Sequence, residues 1–571
     1  MNKTCKNCTK EFQIELEDFA FYEKIKVPPP THCPDCRLQR RLGFRNERTL
    51  YKRECDACKK EVIGVFPPDT PFPVYCQSCW NSDGWDPFVY AREYDFSRPF
   101  FEQFRDLQKA VPRQHVINAE ASGMINSVYT NCAGELKNCY LVFGAQGNED
   151  CLYSQYINFS RGCLDCLYTM KSEYCYNCFD IERCYNVQNS QSCIDSRDSL
   201  YIYDCRNVSD CIGCIGLRNK QYCILNQQYS KEEYLHKKEA LALDTRKGRE
   251  DFKRQFYTSD LYTKFPRKYY HGQMNSDVTG DYVSQSEKSK NVFYGKGNRG
   301  TKHAFWSYDA LDSYDIFAWG QQELCYETVS SGYGNSSCKF IDTSWSSDQN
   351  LEYSSLCFNS KNLFGCIGLK NKEYCILNKQ HGKEEYETLI TQITEHMKSE
   401  GEYGEFFPLE MSPFPYWDSV AQEHFPLTKE QILARGYHWR EPEKKQRTAT
   451  FEFEQLPEMI TEVSDTILQE TISCAHKGIC TDQCTHAFRI TPAELAFYKA
   501  KSIPLPTLCF QCRHVERVEL RNPLKLWHRS CMCTQDAHKH PVPCRNELET
   551  SYAPNRPEIV YCESCYQGEV A

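Results

Sequence analysis

Eight cysteines in four short pairs lie near the start of this chain, and the same arrangement returns near its far end, so the fold must be built twice around thiol clusters. The first set is Cys5-x2-Cys8, Cys33-x2-Cys36, Cys55-x2-Cys58 and Cys76-x2-Cys79. The second is Cys480-x3-Cys484, Cys509-x2-Cys512, Cys531 with Cys544, and Cys562-x2-Cys565. Twenty-four residues separate Cys8 from Cys33 and Cys484 from Cys509; 17 separate Cys58 from Cys76 and Cys544 from Cys562. Each pair can offer two thiolates to one side of a tetrahedral Zn²⁺, and two pairs close a site, so the spacing predicts up to four structural zinc ions.

The flanking residues repeat as well. Thr9-Lys-Glu-Phe12 returns as Thr485-His-Ala-Phe488, Phe19-Ala-Phe-Tyr22 as Leu495-Ala-Phe-Tyr498, and Val74-Tyr75-Cys76 as Val560-Tyr561-Cys562. The far copy departs from the pattern twice. Its first pair has three intervening residues, and its third is split by an insertion carrying Cys533, His538 and His540. Cys531 and Cys533 therefore compete for one ligand position, and the alignment selects Cys531. Cys474 has no counterpart in this alignment and reads as a bystander.

With 571 residues, the chain should hold three or more domains. It shows no charged-then-apolar leader and no apolar run of membrane-spanning length, so it reads as a soluble cytoplasmic protein with no membrane partner. In a reducing compartment its 36 cysteines are expected to be metal ligands and buried thiols, not disulfides. The formal net charge of −9 excludes a globally basic nucleic-acid binder; any attraction for phosphate must come from a local patch.

Between the cysteine modules lies a second duplication. Cys211-Ile-Gly-Cys-Ile-Gly-Leu-Arg-Asn-Lys-Gln-Tyr-Cys-Ile-Leu-Asn226 is nearly copied at 364–378, and both copies run on into Lys-Glu-Glu-Tyr. Inside the first copy, cysteines stand at 139, 151, 163, 175, 184, 193 and 211, spaced by 12 or 9 residues except for a last gap of 18, with Ile202 at the missing step. Short alternating segments at a fixed period predict a parallel β-solenoid. Two strands per coil would give 18–24 residues per coil. Cysteine suits inward positions because it is small and apolar, and the second copy loses most of these thiols, which argues against a metal or redox role for them. The expected organisation is a double zinc module over 1–90, a helical connector over 91–128, solenoid copies at 129–230 and 271–380, a cap at 231–270, a cap and charged linker at 381–470, and a second zinc module over 471–571. Helices are expected at 96–110, 428–435 and 456–470, and a linker at 441–448.

The candidate contact surface lies between the second and third cysteine pairs of each module. The first carries Arg37, Arg40, Arg41, Arg45, Arg48, Lys52 and Arg53; the second carries Arg513, Arg517, Arg521, Lys525 and Arg529. Four-residue spacing aligns side chains on one helix face, and guanidinium grips phosphate oxygens bidentately. Phe44, Tyr51 and Trp527 would stack unpaired bases, which favours RNA over DNA. The alternatives are a solvated charged face, pairing with acidic residues of the solenoid, or docking of an acidic protein partner. No metalloprotease helix, phosphate-binding loop or nucleophile elbow is present, and the Gly295-Lys-Gly-Asn-Arg-Gly300 match to a dinucleotide loop aligns with a solenoid turn. A solenoid enzyme is the weakest reading.

Cys33-Pro-Asp-Cys-Arg-Leu-Gln-Arg-Arg41, Val74-Tyr-Cys-Gln-Ser-Cys-Trp80, Trp527-His-Arg-Ser-Cys-Met-Cys533 and Glu558-Ile-Val-Tyr-Cys-Glu-Ser-Cys-Tyr566 resemble the large multi-zinc-ribbon proteins common in candidate-phyla bacteria. The resemblance spans the whole chain. It implies a bacterial, intracellular, zinc-binding protein of this architecture and brings no activity with it. The expected fold is therefore mainly β and multidomain: two zinc-ribbon or treble-clef-like modules flanking a duplicated β-solenoid with helical caps.

Overall fold

The computed structural model describes residues 1–119, 123–332, 334–345, 347–441, 448–480, 483–536, 538 and 540–570, with Trp319 in backbone only. The chain is mainly β, and its architecture follows from a three-residue rhythm. From Asn138 to Tyr222 every third residue has positive φ. These corner positions are rich in Asn, Asp and Gly, which enter the left-handed region at least cost. The residue after each corner points inward, giving the buried series Cys139, Val142, Ala145, Asn148, Cys151, Ser154 and so on to Cys214. The rule explains why so many of these cysteines follow Asn or Asp.

Four corners bring the chain back above its starting point. Parallel bridges run Tyr140↔Leu152, Leu152↔Leu164, Leu164↔Tyr176, Tyr176↔Gln188 and Gln188↔Leu200, each one 12-residue step apart. The coil therefore has 12 residues, not the 18–24 expected from paired strands. A cysteine gap of 12 is one full coil and a gap of 9 is three of its four sides. The inward slots accept cysteine or serine interchangeably. Ser154 Oγ donates to the Leu152 carbonyl (2.9 Å) and accepts from the Cys166 amide (3.0 Å), while Cys163 Sγ lies 3.5 Å from the carbonyls of Arg161 and Ser172.

A second stack, from Gly272–Gln273 to Lys379–Gln380, repeats this build. Two of its coils take an extra residue, pairing Tyr326 with Lys339 and Asp342 with Ser355. Gly297 and Gly300 of the dinucleotide-like match are corners of this stack. Each stack ends alike. Gln221–Ile224 turns back antiparallel onto Gln227–Gln228, and Glu373–Ile376 onto Lys379–Gln380. Helices Lys231–Ala240 and Arg246–Thr258 follow the first stack, and helix Lys383–Ser399 the second. These caps cover an edge that would otherwise template further strands. The stacks press together through corner aromatics: Tyr168 stacks on Tyr294 (3.7 Å) and Tyr156 packs on Trp306 (4.5 Å), while Tyr294 continues onto Tyr282 (4.9 Å) within the second stack.

Asp348 occupies an inward slot and accepts from the Ser360 amide at 2.6 Å. Asn148 and Asn298 make the same bond to the residue 12 positions on. Burial pushes the Asp348 carboxyl up to about 7, with Ser344 and the Ser360 amide pulling the other way. Between the ordinary carboxylate range and about pH 7 the folded protein holds a proton that the unfolded chain has lost, so this group lowers stability as pH rises through that window. Asp348→Asn is expected to gain on the order of 2 kcal/mol at about pH 8 and little at about pH 4, measured by chemical denaturation at both.

The expected helix at 96–110 forms as Phe100–Ala110. The one at 428–435 forms as Lys429–Ala434, with a reciprocal Thr428–Gln431 capping box and Gly436 at φ 72°. Residues 456–470 form two short 3₁₀ turns, Ile460–Glu462 and Asp465–Gln469, in place of the expected helix. Most of the expected linker, 442–447, lies outside the described residues. Among the described residues no helix is long and apolar enough to cross a membrane.

Candidate metal centres and the buried arginine rows

Four groups of cysteines converge: Cys5, Cys8, Cys33 and Cys36; Cys55, Cys58, Cys76 and Cys79; Cys474, Cys484, Cys509 and Cys512; and Cys531, Cys544, Cys562 and Cys565. Within each group the sulfurs lie within 4.8 Å of one another. Cys8–Cys33, Cys58–Cys76 and Cys484–Cys509 stand at 3.7, 3.9 and 3.9 Å. A tetrahedron with metal–sulfur bonds of about 2.3 Å has an edge of about 3.8 Å, so the thiol sets fit a tetrahedral ion. All 36 cysteines are free thiols, and those of the stacks are buried among apolar and serine side chains.

One local plan builds each group. The first cysteine ends a short strand, and the second follows in the turn or insertion beyond it. The third stands immediately before a helix and the fourth lies in that helix's first turn. Cys33 precedes Pro34–Leu42, Cys76 precedes Gln77–Asn81, Cys509 precedes Phe510–Glu519 and Cys562 precedes Glu563–Val570. In every group the amide of the third cysteine donates to the sulfur of the first: Cys33 to Cys5 (3.2 Å), Cys76 to Cys55 (3.1 Å), Cys509 to Cys474 (3.3 Å) and Cys562 to Cys531 (3.2 Å). Such donors stabilise the thiolate form that a metal requires.

This pattern corrects one assignment. Cys474, read as a bystander, takes the place of Cys5, because Ile472–Ser473 pairs with Ala487–Phe488 as Asn2–Thr4 pairs with Glu11–Gln13. Cys480 belongs to the insertion between Cys474 and Cys484, with its sulfur 3.7 Å from that of Cys512. Ser473-Cys474, matching Thr4-Cys5 in the strand before the turn, was the available signal. The competition between Cys531 and Cys533 resolves with Cys531 in the four-cysteine group.

The arginine rows are placed otherwise than a phosphate surface requires. Arg37, Arg40, Arg41 and Arg45 are buried, as are Arg513, Arg517 and Arg521. Arg37 and Arg41 share Asp315 of the second stack at 2.9 and 3.0 Å. Arg40 pairs with Glu327 (2.7 Å) and Glu405 (3.0 Å), and Arg45 with Glu47 (2.7 Å). In the other module Arg513 and Arg517 share Asp165 of the first stack at 2.7 and 3.2 Å, and Arg521 meets Glu423 at 3.2 Å. The arginine rows are therefore crossed: Arg37, Arg40 and Arg41 of the N-terminal module reach carboxylates of the second stack, and Arg513 and Arg517 of the C-terminal module reach one of the first. Burial opposes ionisation of Asp315, but the guanidinium groups of Arg37 and Arg41 outweigh it and hold the carboxyl below its ordinary range. At Glu327 burial wins over Arg40 and Arg41, and the pKa is raised.

The remaining cations are dispersed. Arg48 bonds Gln155 (3.2 Å) and Gln511 (3.3 Å), and Arg53 is buried against Asp56. Lys52 is exposed beside Glu61, Lys525 reaches Asp35 across the two modules (3.2 Å), and Arg529 donates to the carbonyls of Tyr552 and Ala553. Phe44 and Tyr51, expected to stack bases, are buried, and Trp527 is half-buried. What sequence reasoning missed is the strap over 403–427. Its Glu405 holds Arg40 and His32, and its Glu423 holds Arg521 and His514, so one segment ties both modules down.

No family model matches the chain, and no curated protein matches it. Among solved structures, one from Desulfovibrio desulfuricans G20, named provisionally as an acetyltransferase, aligns at 11% identity over 53% of this chain and 85% of that one, with a TM-score of 0.09. A score that low carries no argument about fold or function.

Proposed function

We propose that this chain is a non-enzymatic, zinc-stapled scaffold of a reducing compartment, which works through protein contact and not through phosphate. The stacks read as β-solenoids and the terminal modules as treble-clef-like zinc folds, consistent with the multi-zinc-ribbon resemblance. The observation that carries the reading is the burial of both arginine rows on Asp315, Glu327 and Asp165. Cations committed to buried carboxylates cannot release counterions from a nucleic acid, which is the source of non-specific affinity.

A contact surface of another kind is present. Tyr129, Tyr140, Tyr174, Tyr185 and Phe497 line an open groove of about 960 Å³ between the first stack and helix Pro492–Lys501. Val128, Tyr129 and Tyr185 are exposed there. An apolar, aromatic concavity of this kind suits a protein segment anchored by hydrophobic side chains.

Two assays separate the readings. Fluorescence anisotropy of the metal-loaded protein against single-stranded RNA, over a salt series, is expected to show no salt-dependent binding; affinity falling linearly in log–log salt would restore nucleic-acid binding as the function. Crosslinked partners recovered with the native protein should be lost with the double variant Tyr129→Glu/Tyr185→Glu. An unchanged partner set would remove the groove from the argument.

A further inference from the structure

The C-terminal insertion brings a second ligand set against the fourth cysteine group. Cys533, His538, His540 and Cys565 have their ligand atoms within 4.8 Å of one another. Cys565 also belongs with Cys531, Cys544 and Cys562. We propose that this module holds two divalent metal ions bridged by the Cys565 thiolate, so that the chain takes five metals where its paired cysteines suggest four.

The geometry is that of a built site. Cys533 Sγ stands 3.1 Å from His538 Nδ1, and Cys565 Sγ stands 3.2 Å from His540 Nε2. Both lie within half an ångström of the roughly 3.6 Å edge expected between nitrogen and sulfur ligands of one tetrahedral zinc. Cys562 and Cys565, shared along the edge of the other site, are 3.4 Å apart. Cys533 is fully buried, and its carbonyl accepts from the Cys544 amide at 3.0 Å, which locks the insertion to the neighbouring group.

The histidines are prepared as ligands. His540 Nδ1 lies 2.9 Å from the Pro541 carbonyl, an acceptor only, so Nδ1 carries the proton and Nε2 turns its lone pair toward Cys565. His538 presents Nδ1 to Cys533 and places Nε2 3.8 Å from Glu569 Oε1, the carboxylate partner that metal-bound imidazoles commonly have. A β-carbon at residue 568 would come within 2.8 Å of that ring nitrogen, and the residue there is Gly568.

Charge favours the pairing. Five thiolates and two neutral imidazoles around two dications leave one net negative charge. A closed four-thiolate site leaves two on a single ion. A bridging thiolate therefore lets the module bury a fifth sulfur without burying a fifth uncompensated anion. The mixed nitrogen–sulfur set suits Zn²⁺, with Co²⁺ and Cd²⁺ as probes.

The test uses the full chain. Native mass spectrometry with elemental analysis of the zinc-loaded protein is expected to give five metals, and the double variant His538→Ala/His540→Ala to give four. Cys533→Ser supplies an independent variant with the same expected loss should the double variant fold poorly. With ¹¹³Cd, the native module should show two resonances coupled to each other through the shared sulfur, and the double variant one uncoupled resonance. Four metals in the native protein, five in both variants, or a fifth metal without coupling would each overturn the proposal. A protein with no metal at all would instead overturn the reading of the four cysteine groups on which it builds.

Discussion

Asp315→Asn is expected to release the N-terminal module from the second stack and to cost about 3–5 kcal/mol, the range measured when one partner of a buried ion pair is removed. The substitution is nearly isosteric and keeps one acceptor oxygen. Asp315 has φ 58°, a corner conformation that asparagine tolerates. What is lost is the charge that Arg37 and Arg41 share. Both guanidinium groups are almost wholly excluded from water: Arg41 would be left with Glu327, which Arg40 already occupies, and Arg37 with only the His32 carbonyl. Chemical denaturation should show the loss, and limited proteolysis should cut first between residues 1 and 90. Unchanged stability and unchanged cleavage would mean that apolar packing alone holds the module.

Removing the metals should have the larger effect. Apparent binding energies of about 10–16 kcal/mol per structural zinc are folding energies, since no preformed site exists in the unfolded chain. Cys33 and Cys36 sit at the start of the helix that carries Arg37, Arg40 and Arg41; Cys509 and Cys512 stand likewise for Arg513 and Arg517. Chelation is expected to unravel these helix starts and withdraw the arginines, leaving Asp315, Glu327 and Asp165 buried without cations. Circular dichroism with and without a strong chelator, combined with protease mapping, should show both terminal modules lost together while the stacked coils persist. Retention of the modules without metal would sink the staple reading.

The converging cysteine groups were legible because ligand spacing is local: a pair two residues apart, repeated at fixed intervals, has few other uses. Cys474 was not, because an insertion stretches the turn between it and Cys484, and counting residues matches Cys480 instead. The stacking of the middle region was legible as a period, yet the coil length was not. Cysteine marks only some inward slots, and gaps of 9 and 12 conceal their common divisor of three, which the corners keep at every step but only partly show in sequence, since Tyr153, Lys171 and Arg183 hold corners beside Asn, Asp and Gly. The arginine rows were legible as rows and illegible as buried. Their partners are single acidic residues, one of them 278 positions away, in a region where many other carboxylates face water.

The crossed pairing of the arginine rows sets an order of events during synthesis. Arg513 and Arg517 emerge from the ribosome after Asp165 has already been built into its coil, so their helix can settle on it as soon as it forms. Arg37 and Arg41 have no such partner yet, because theirs is Asp315. At ~10 residues per second, the 278 residues between Arg37 and Asp315 take roughly half a minute to make. For that interval an arginine-rich helix stands in solution with its counter-charges not yet translated. The guanidinium groups of Arg37, Arg40 and Arg41 thus stay uncompensated until the second stack closes over them.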